Sequence, residues 1–411
     1  MNKIKKHVFL IGSRGLPFNY SGYETFVYKL TEYHQNLPTI QYHVACKNFQ
    51  EKESWFFNAR CFNVKVPNIG AKQAIYYDVA AMLKTSIYIY QHHLHDATIY
   101  LLTSRIGPFM FFFRWILKRF KVKFFVNPDG NEWARGKWSK PIQKYWKFAE
   151  ETMMKNTDLV VCDSLEIEKY IQNEYKALQP ATTYISYGAD RNEEEIDQFQ
   201  LYYWFDKFSV KPESYYLYVG RFIPENNLET IIREFIASKS KRKLLIVTNV
   251  ETNQFYEKLL NSTQFHLDER IVFTGVVQDR RLLDGIRQNA YAYFHGHEVG
   301  GTNPSLLEAM VNRCLVIALD CVYSREVLDN NGLFFTKESG NLSTIINHLE
   351  SQLSDSVRKK MGERNYQRIC DAYSWKKITD QYQHLFLDED IFYNLSKKNQ
   401  PKKIQWMGKM K

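Results

Sequence analysis

The stretch His295-Gly-His-Glu-Val-Gly-Gly-Thr-Asn-Pro-Ser-Leu-Leu-Glu308 decides the reading of this chain. The apolar run from Ala290 to Phe294 leads into it and reads as a buried strand. Gly300 and Gly301 let the backbone approach a ligand closely, and Pro304 is a favoured first residue for a helix reaching Asn312. Strand, glycine-rich loop and helix N-terminus in that order gather backbone amides and the positive end of a helix dipole. That combination suits a diphosphate, with Glu308 one turn into the helix placed to accept bonds from ribose-type hydroxyls. The alternative is helix capping and packing alone.

The same alternation extends to both sides. After residue 190, strands are expected at 215–219, 243–247, 271–273 and 315–318, with helices at 228–237 and 281–288. Before it, strands are expected at 8–11, 44–46, 62–66, 98–102, 123–126 and 183–186, with helices at 24–35 and 75–90. A further strand in 158–164 leads to a helix at 165–174 with Ser164 as its N-cap. Strands alternating with helices predict parallel, doubly wound sheets, here twice in succession: an α/β protein of two Rossmann-like domains facing across a cleft. The expected parts are residues 1–190, 191–375, a C-terminal helix at 376–393, and a tail at 394–411 that carries six Lys and no acid.

Composition narrows the class. The 411 residues are 45% hydrophobic and 16% aromatic, which excludes disordered and low-complexity proteins. Six cysteines, at 46, 61, 162, 314, 321 and 370, lie far apart without a C-x-x-C pair; this argues against a zinc site or disulfide scaffold and fits a reducing compartment. The longest apolar run, 106–117, contains Arg114 and is too short to cross about 30 Å of hydrocarbon. The N-terminal MNKIKKHVFLIGSRG reads as a first strand rather than a signal peptide, so a cytoplasmic location is expected. A net charge of +10 fits phosphorylated ligands, an anionic membrane or nucleic acid. No nucleic-acid reader module is recognisable, and nucleic acid is not an expected partner.

Ligands of doubly wound sheets sit beyond the carboxyl ends of the strands. Three more loops have that placement. Gly12-Ser-Arg-Gly-Leu-Pro17 with Ser21-Gly-Tyr-Glu24 precedes a helix whose amides can meet a phosphate, although it is neither a G-x-G-x-x-G fingerprint nor a Walker motif; an ordinary strand-to-helix turn is the alternative. Asn127-Pro-Asp-Gly-Asn-Glu-Trp133 brings two carboxylates and an indole, groups that bind sugar hydroxyls, though Pro-Asp-Gly is also a common turn. Arg221 after Gly220 can fork onto a phosphate or form a surface pair with Glu225. His92-His-Leu-His-Asp96, the His295/His297/Glu298 group and Asp388-Glu-Asp390 read as structural or solvated, and no metal or other cofactor is expected.

With these motifs in hand, the chain from about residue 7 to 385 resembles the retaining family 4 glycosyltransferases. More narrowly, Ser13-Arg-Gly-Leu-Pro17, Gly22-Tyr-Glu-Thr-Phe26, Asn127-Pro-Asp-Gly130 and Val299-Gly-Gly-Thr-Asn-Pro-Ser305 are similar to bacterial capsule and exopolysaccharide β-1,4-rhamnosyltransferases. The resemblance implies an acceptor-binding first domain, a nucleotide-sugar-binding second domain, and a last helix that crosses back to the first. It also implies a metal-independent, retaining transfer of L-rhamnose from dTDP-L-rhamnose to a lipid-diphosphate-linked saccharide. The donor would be held by Gly12, Arg14, Gly15, Arg221, Asn226, Gly300, Gly301, Thr302, Asn303 and Glu308. Asp129, Glu132, Arg221 and Glu298 would act at the reacting sugar, and Gly22, Tyr23, Glu24 and Trp133 would hold the acceptor. Two positions depart from the family: Gly300 stands where the first of two Glu residues falls, and Asn226 where a phosphate-binding Lys falls. The other readings are the same fold with a different nucleotide sugar, a non-catalytic nucleotide-sugar-binding partner of a polysaccharide assembly complex, and a nicotinamide enzyme, whose fingerprint is missing.

One segment points to a surface. Residues 108–119, PFMFFFRWILKR, are expected as a helix with Phe109, Phe112, Phe113, Ile116 and Phe120 on one stripe and Arg114 and Lys118 on another. A core helix is one reading. The other is peripheral attachment, with the basic tail, to an anionic surface at the inner face of the plasma membrane.

Overall fold

The computed structural model describes residues 6–17, 22–48, 52–134, 138–192 and 194–387. The chain divides into two compact units, one of residues 1–187 with 375–411 and the other of residues 188–374. Asp388-Glu-Asp390, the end of the expected C-terminal helix and the basic tail lie outside the described residues.

The first unit contains, in order, β1 (Lys6–Ile11), α1 (Gly22–Tyr33), β2 (Ile40–Lys47), β3 (Glu53–Phe56), β4 (Ala59–Val64), α2 (Gln73–Gln91), β5 (Thr98–Leu101), α3 (Met110–Leu117), β6 (Lys123–Val126), α4 (Lys140–Asn156), β7 (Leu159–Cys162), α5 (Leu165–Glu174) and β8 (Thr182–Tyr184). Its sheet has the order β3-β4-β2-β1-β5-β6-β7-β8, parallel except for β3. β1 from Val8 onward, β5 and β7 are buried along their length, as a sheet covered by helices on both sides requires. Strand order reverses at β1 and β5, which pair from Val8 with Thr98 to Ile11 with Leu101. Loops leaving these two strands therefore diverge and open a crevice.

β3, absent from the sequence reading, is a half-exposed antiparallel edge strand whose four residues are too few for their alternation to stand out. Ser164 caps α5 by accepting from the Ile167 amide at 3.1 Å. The expected helix over 108–119 is a 3₁₀ turn (Gly107–Phe109), α3 and a second 3₁₀ turn (Lys118–Phe120). Gly107 is required there: a Cβ would lie 1.9 Å from the Ala149 carbonyl oxygen of α4.

The second unit runs α6 (Gln198–Lys207), β9 (Tyr215–Val219), α7 (Leu228–Ala237), β10 (Lys243–Val247), α8 (Gln254–Thr263), β11 (Ile271–Phe273), α9 (Arg280–Gln288), β12 (Ala292–His295), α10 (Pro304–Val311), β13 (Val316–Leu319), α11 (Val322–Leu328), β14 (Leu333–Phe335), α12 (Asn341–Gln352) and α13 (Asp355–Arg368). Its six strands are all parallel in the order β11-β10-β9-β12-β13-β14, so the reversal falls between β9 and β12. One side of this sheet is covered by a core that includes Tyr216, Ile231, Phe235, Phe294 and Ile317.

The final helix, α14 (Trp375–Leu387), belongs to the first unit. There the Tyr382 hydroxyl lies 3.0 Å from that of Tyr100 and its ring packs on Phe26. His34 reaches the Thr379 carbonyl at 3.1 Å and the Tyr42 hydroxyl at 2.7 Å, which pins α14 to α1 and β2.

Candidate functional site

In the second unit, the loops leaving β9 and β12 are stitched together at the point of reversal. Asn227, in the left-handed region at φ 54°, donates its amide to the Gly296 carbonyl at 2.9 Å. The Glu298 amide donates to the Glu225 carbonyl at 3.2 Å. Gly296 permits this closeness, since a Cβ would lie 2.2 Å from the Asn226 carbonyl oxygen. Asn226 itself is buried, its amide donating to the Arg221 carbonyl at 2.9 Å, so it stands behind the loop and shapes it. The Arg221 side chain is exposed and makes no ion pair with another described residue; the surface pair with Glu225 does not form. Glu298 is held by Lys337 at 2.6 Å, a cation the sequence reading did not single out.

Gly300 takes a φ of 115° and starts the turn into α10. Asn303 caps that helix, accepting from the Ser305 amide at 3.0 Å and from its hydroxyl at 2.8 Å. Thr302 is buried beneath the turn. Gly300, Gly301 and Asn303 line a small open hollow together with His295, His297 and Tyr323. The two imidazoles stack with centroids 4.4 Å apart, and burial pushes His295 down to about 3, leaving it neutral. Glu308 receives a hydrogen bond from Arg287 at 2.5 Å; this arginine is itself buried, with Asp284 on its other side. Asn312 braces the group from Asp284 at 2.8 Å and from the Glu308 carbonyl at 2.9 Å.

The first unit forms its own cluster at the β1/β5 reversal. Gly12 (φ 117°) and Gly15 (φ 96°) frame a turn whose Arg14 amide donates to Glu24 at 2.7 Å. Glu24 is buried, so its carboxylate anchors the turn to α1. The Tyr77 hydroxyl lies 2.7 Å from both the Ser13 and Ala45 carbonyls and supports the turn from below. Tyr23, at the start of α1 beside the exposed Gly22, is hydrogen-bonded to Asp129; burial first, then this carboxylate, hold its phenol well above its ordinary range. Asp129, Gly130 and Asn131 are all left-handed, which turns the loop tightly after β6. Glu132 accepts from the Trp138 indole at 2.9 Å. The Trp133 indole donates to Tyr170 at 3.0 Å, with the Lys147 ammonium 4.6 Å from its ring centre.

Arg105, from the loop after β5, is the cation beside Asp78 in this cluster. Its Nε lies 3.1 Å from Asp78 and 2.8 Å from Thr103. Burial opposes its charge, but Asp78, Asp129, Tyr23 and Glu132 outweigh that and raise its pKa. Among the described residues no group of three or more His, Cys, Asp or Glu side chains is placed to hold a metal ion. Arg105, Asp78, Arg287 and Lys337 escaped the sequence reading because their importance follows from strand order and from partners distant in sequence. A hint for Arg105 was its place four residues after a strand.

Residues 204–368 match the family described as glycosyl transferases group 1, and residues 5–190 match a domain of unknown function, DUF1972. An uncharacterized glycosyltransferase of Methanocaldococcus jannaschii is 25% identical over 174 residues, covering 41% of this chain and 44% of that relative. The chain therefore spans less than half the length of that curated relative. Among solved structures, the fold is similar to sucrose-phosphate synthase of Thermosynechococcus elongatus (TM-score 0.75, 16% identity, covering 95% of this chain and 100% of the other). It is also similar to Anabaena HepE in complex with UDP and glucose (TM-score 0.69, 15% identity, 93% and 100%). An E. coli structure bound with UDP-2-fluoro glucose gives a TM-score of 0.67 at 9% identity (93% and 99%). The chain thus carries a group 1 glycosyltransferase domain, in an α/β fold of two Rossmann-like units.

Proposed function

We propose that this protein transfers a hexose, with retention and without a metal, from a nucleotide diphosphate sugar. L-Rhamnose from dTDP-L-rhamnose is the donor that the Val299–Ser305 motif favours. The acceptor in this reading is a lipid-diphosphate-linked saccharide of cell-surface polysaccharide synthesis, so that the enzyme works at the inner face of the plasma membrane. The observation that carries the reading is the β9/β12 junction: Arg221 without an ion-pair partner among the described residues, the Gly300–Asn303 turn at the start of α10, and Glu308 fixed by Arg287. Structural neighbours in complex with UDP and glucose and with UDP-2-fluoro glucose support a nucleotide sugar as the donor class.

The chemical difficulty is departure of a diphosphate while positive charge grows on the sugar. Fixed donors aimed at the leaving group supply the largest stabilisation, and removal of one costs roughly 10²–10³ in rate. Arg221 and the amides of residues 300–303 take that role, with Gly12, Arg14 and Gly15 assisting. Glu308 holds the ribose hydroxyls, and Glu298 acts at the donor sugar. Asp129 and Glu132 orient the sugar or acceptor hydroxyl, and Gly22, Tyr23, Glu24 and Trp133 shape the acceptor site. No side chain is assigned as a nucleophile, so the acceptor hydroxyl attacks the face from which the diphosphate leaves.

The test is turnover of dTDP-L-rhamnose and of UDP-hexoses by the purified protein, followed by release of the nucleoside diphosphate. Arg221→Ala should lose at least about a hundredfold. Equal rates for wild type and variant overturn the assignment.

A further inference from the structure

The helix singled out by its aromatic run does not bury the stripe that its spacing suggests. Met110, Phe113, Leu117 and Phe120 face the core, whereas Phe111, Phe112 and Trp115 are exposed, Phe111 and Trp115 by 73% and 70%. Phe109, in the preceding turn, is exposed too. α3 packs against α2, and α2 turns Leu83, Ile87 and Tyr90 outward at helical spacing. In the turn after α3, the Arg119 guanidinium lies 5.7 Å from the ring centre of Tyr90 in α2. Seven large apolar side chains on adjoining elements form a patch of the kind that isolated soluble proteins rarely leave uncovered.

Charge selects the occupant. The exposed charges on α2, α3 and the turn after α3 are cationic: Lys84, Lys118, Arg119 and Lys121. The carboxylate of α2, Asp78, is buried against Arg105, and Asp158 beside α3 is neutralised by Arg114 at 2.8 Å. An exposed acid, Asp96, follows α2 at its C-terminal end, its amide bonded to the Phe120 carbonyl, and Glu151 of α4, which packs on α3, is paired with Lys155 at 2.6 Å. Rings that insert among acyl chains, rimmed by cations and without exposed acids on the two helices, match an anionic bilayer surface. A second copy of a chain carrying net charge +10 would bring like charges together around the same patch.

We propose that the α2–α3 face of the first unit is a docking surface for anionic phospholipid. Phe109, Phe111, Phe112 and Trp115 enter the headgroup boundary, and Lys118, Arg119 and Lys121 bind lipid phosphates. This inference rests on the membrane-linked acceptor of the proposed function for its purpose but not for its test.

The full chain, without nucleotide or acceptor, is sedimented with vesicles of phosphatidylglycerol and phosphatidylcholine, or of phosphatidylcholine alone, at low and high salt. Wild type should pellet with the anionic vesicles at low salt and largely be released at high salt. Phe111→Ser with Trp115→Ser, and separately Lys118→Glu with Arg119→Glu, should each weaken binding about tenfold or more while keeping the wild-type melting temperature and nucleotide-sugar turnover. Equal sedimentation of wild type and both variants overturns the proposal. So does a dimer, seen by analytical ultracentrifugation, that these substitutions dissociate while vesicle binding is absent. Vesicle binding by a protein with no nucleotide-sugar turnover would count against the transfer reading and leave the docking surface standing.

Discussion

Nη2 of Arg287 in α9 lies 2.5 Å from Oε2 of Glu308 in α10, with the arginine side chain only 1% exposed. The same guanidinium faces Asp284 at 3.4 Å, so one buried cation serves two carboxylates. Burial raises the pKa of Asp284, and Arg287 and the Asn312 amide oppose that shift. The arrangement fixes the rotamer of the residue proposed to meet the nucleotide ribose, from a helix that itself stays behind the site.

Taking away Arg287 leaves two carboxylates in a buried place without their cation, and breaking such a pair costs about 3–5 kcal/mol. Arg287→Met should therefore destabilise the protein by about that much, and Arg287→Met combined with Glu308→Gln should lose clearly less than the two single losses added together. Urea unfolding of the four proteins checks this. Additive losses would show that the two residues are not coupled.

Gly15 has a φ of 96°, and a Cβ there would lie 2.4 Å from the Cys46 sulfur and 2.6 Å from its Cα. Gly275 has a φ of 78°, with nothing within 4 Å of the same position. Alanine at Gly275 should cost only the left-handed strain, about 1–2 kcal/mol, whereas alanine at Gly15 should cost more and displace the loop bearing Arg14. Thermal melting separates the two; equal losses would mean that the loop yields freely.

Tyr23 keeps its proton well beyond neutral pH and donates to Asp129. Tyr23→Phe removes a hydrogen bond to a charged group, worth about 1.5–3 kcal/mol. Acceptor-dependent transfer should fall about tenfold or more, while hydrolysis of the donor alone changes little. A parallel loss of both rates would place Tyr23 at the donor instead.

His34 is buried and its pKa is lowered to about 4, chiefly by burial, against contributions from Thr379 and Asp380 that raise it. The unfolded chain, with an ordinary value near 6.5, binds the proton first as pH falls. Stability from a neutral His34 is thus complete above about pH 6.5, declines down to about pH 4, and is level below that, a total on the order of 3 kcal/mol. Unfolding midpoints at pH 7.5 and 5 should differ less in His34→Gln than in wild type. His43 and His295, lowered by burial to about 2 and about 3, keep part of the slope in the variant. An unchanged slope would remove His34 from the cause.

Local patterning was enough to foresee two doubly wound halves. Buried parallel strands are short apolar runs, and the glycines and prolines that end them are chemically distinctive. The loops at Gly12, Asn127, Gly220 and His295 were legible for the same reason: each begins where an apolar run stops. Tertiary structure decided which loops meet. That depends on strand order, and the pairings of β1 with β5 and of β9 with β12 join segments about 75–90 residues apart. Arg105, in the loop after β5, gained its place only from the first pairing. The Arg287–Glu308 contact likewise spans two helices. Asn226, by contrast, read as a ligand residue and proved to be buried behind its loop. Spacing in 108–119 said that part of an aromatic helix is buried but not which part, because Phe113 and Phe111 are equally apolar. Only the packing of α3 on its neighbours assigned one to the core and the other to the surface.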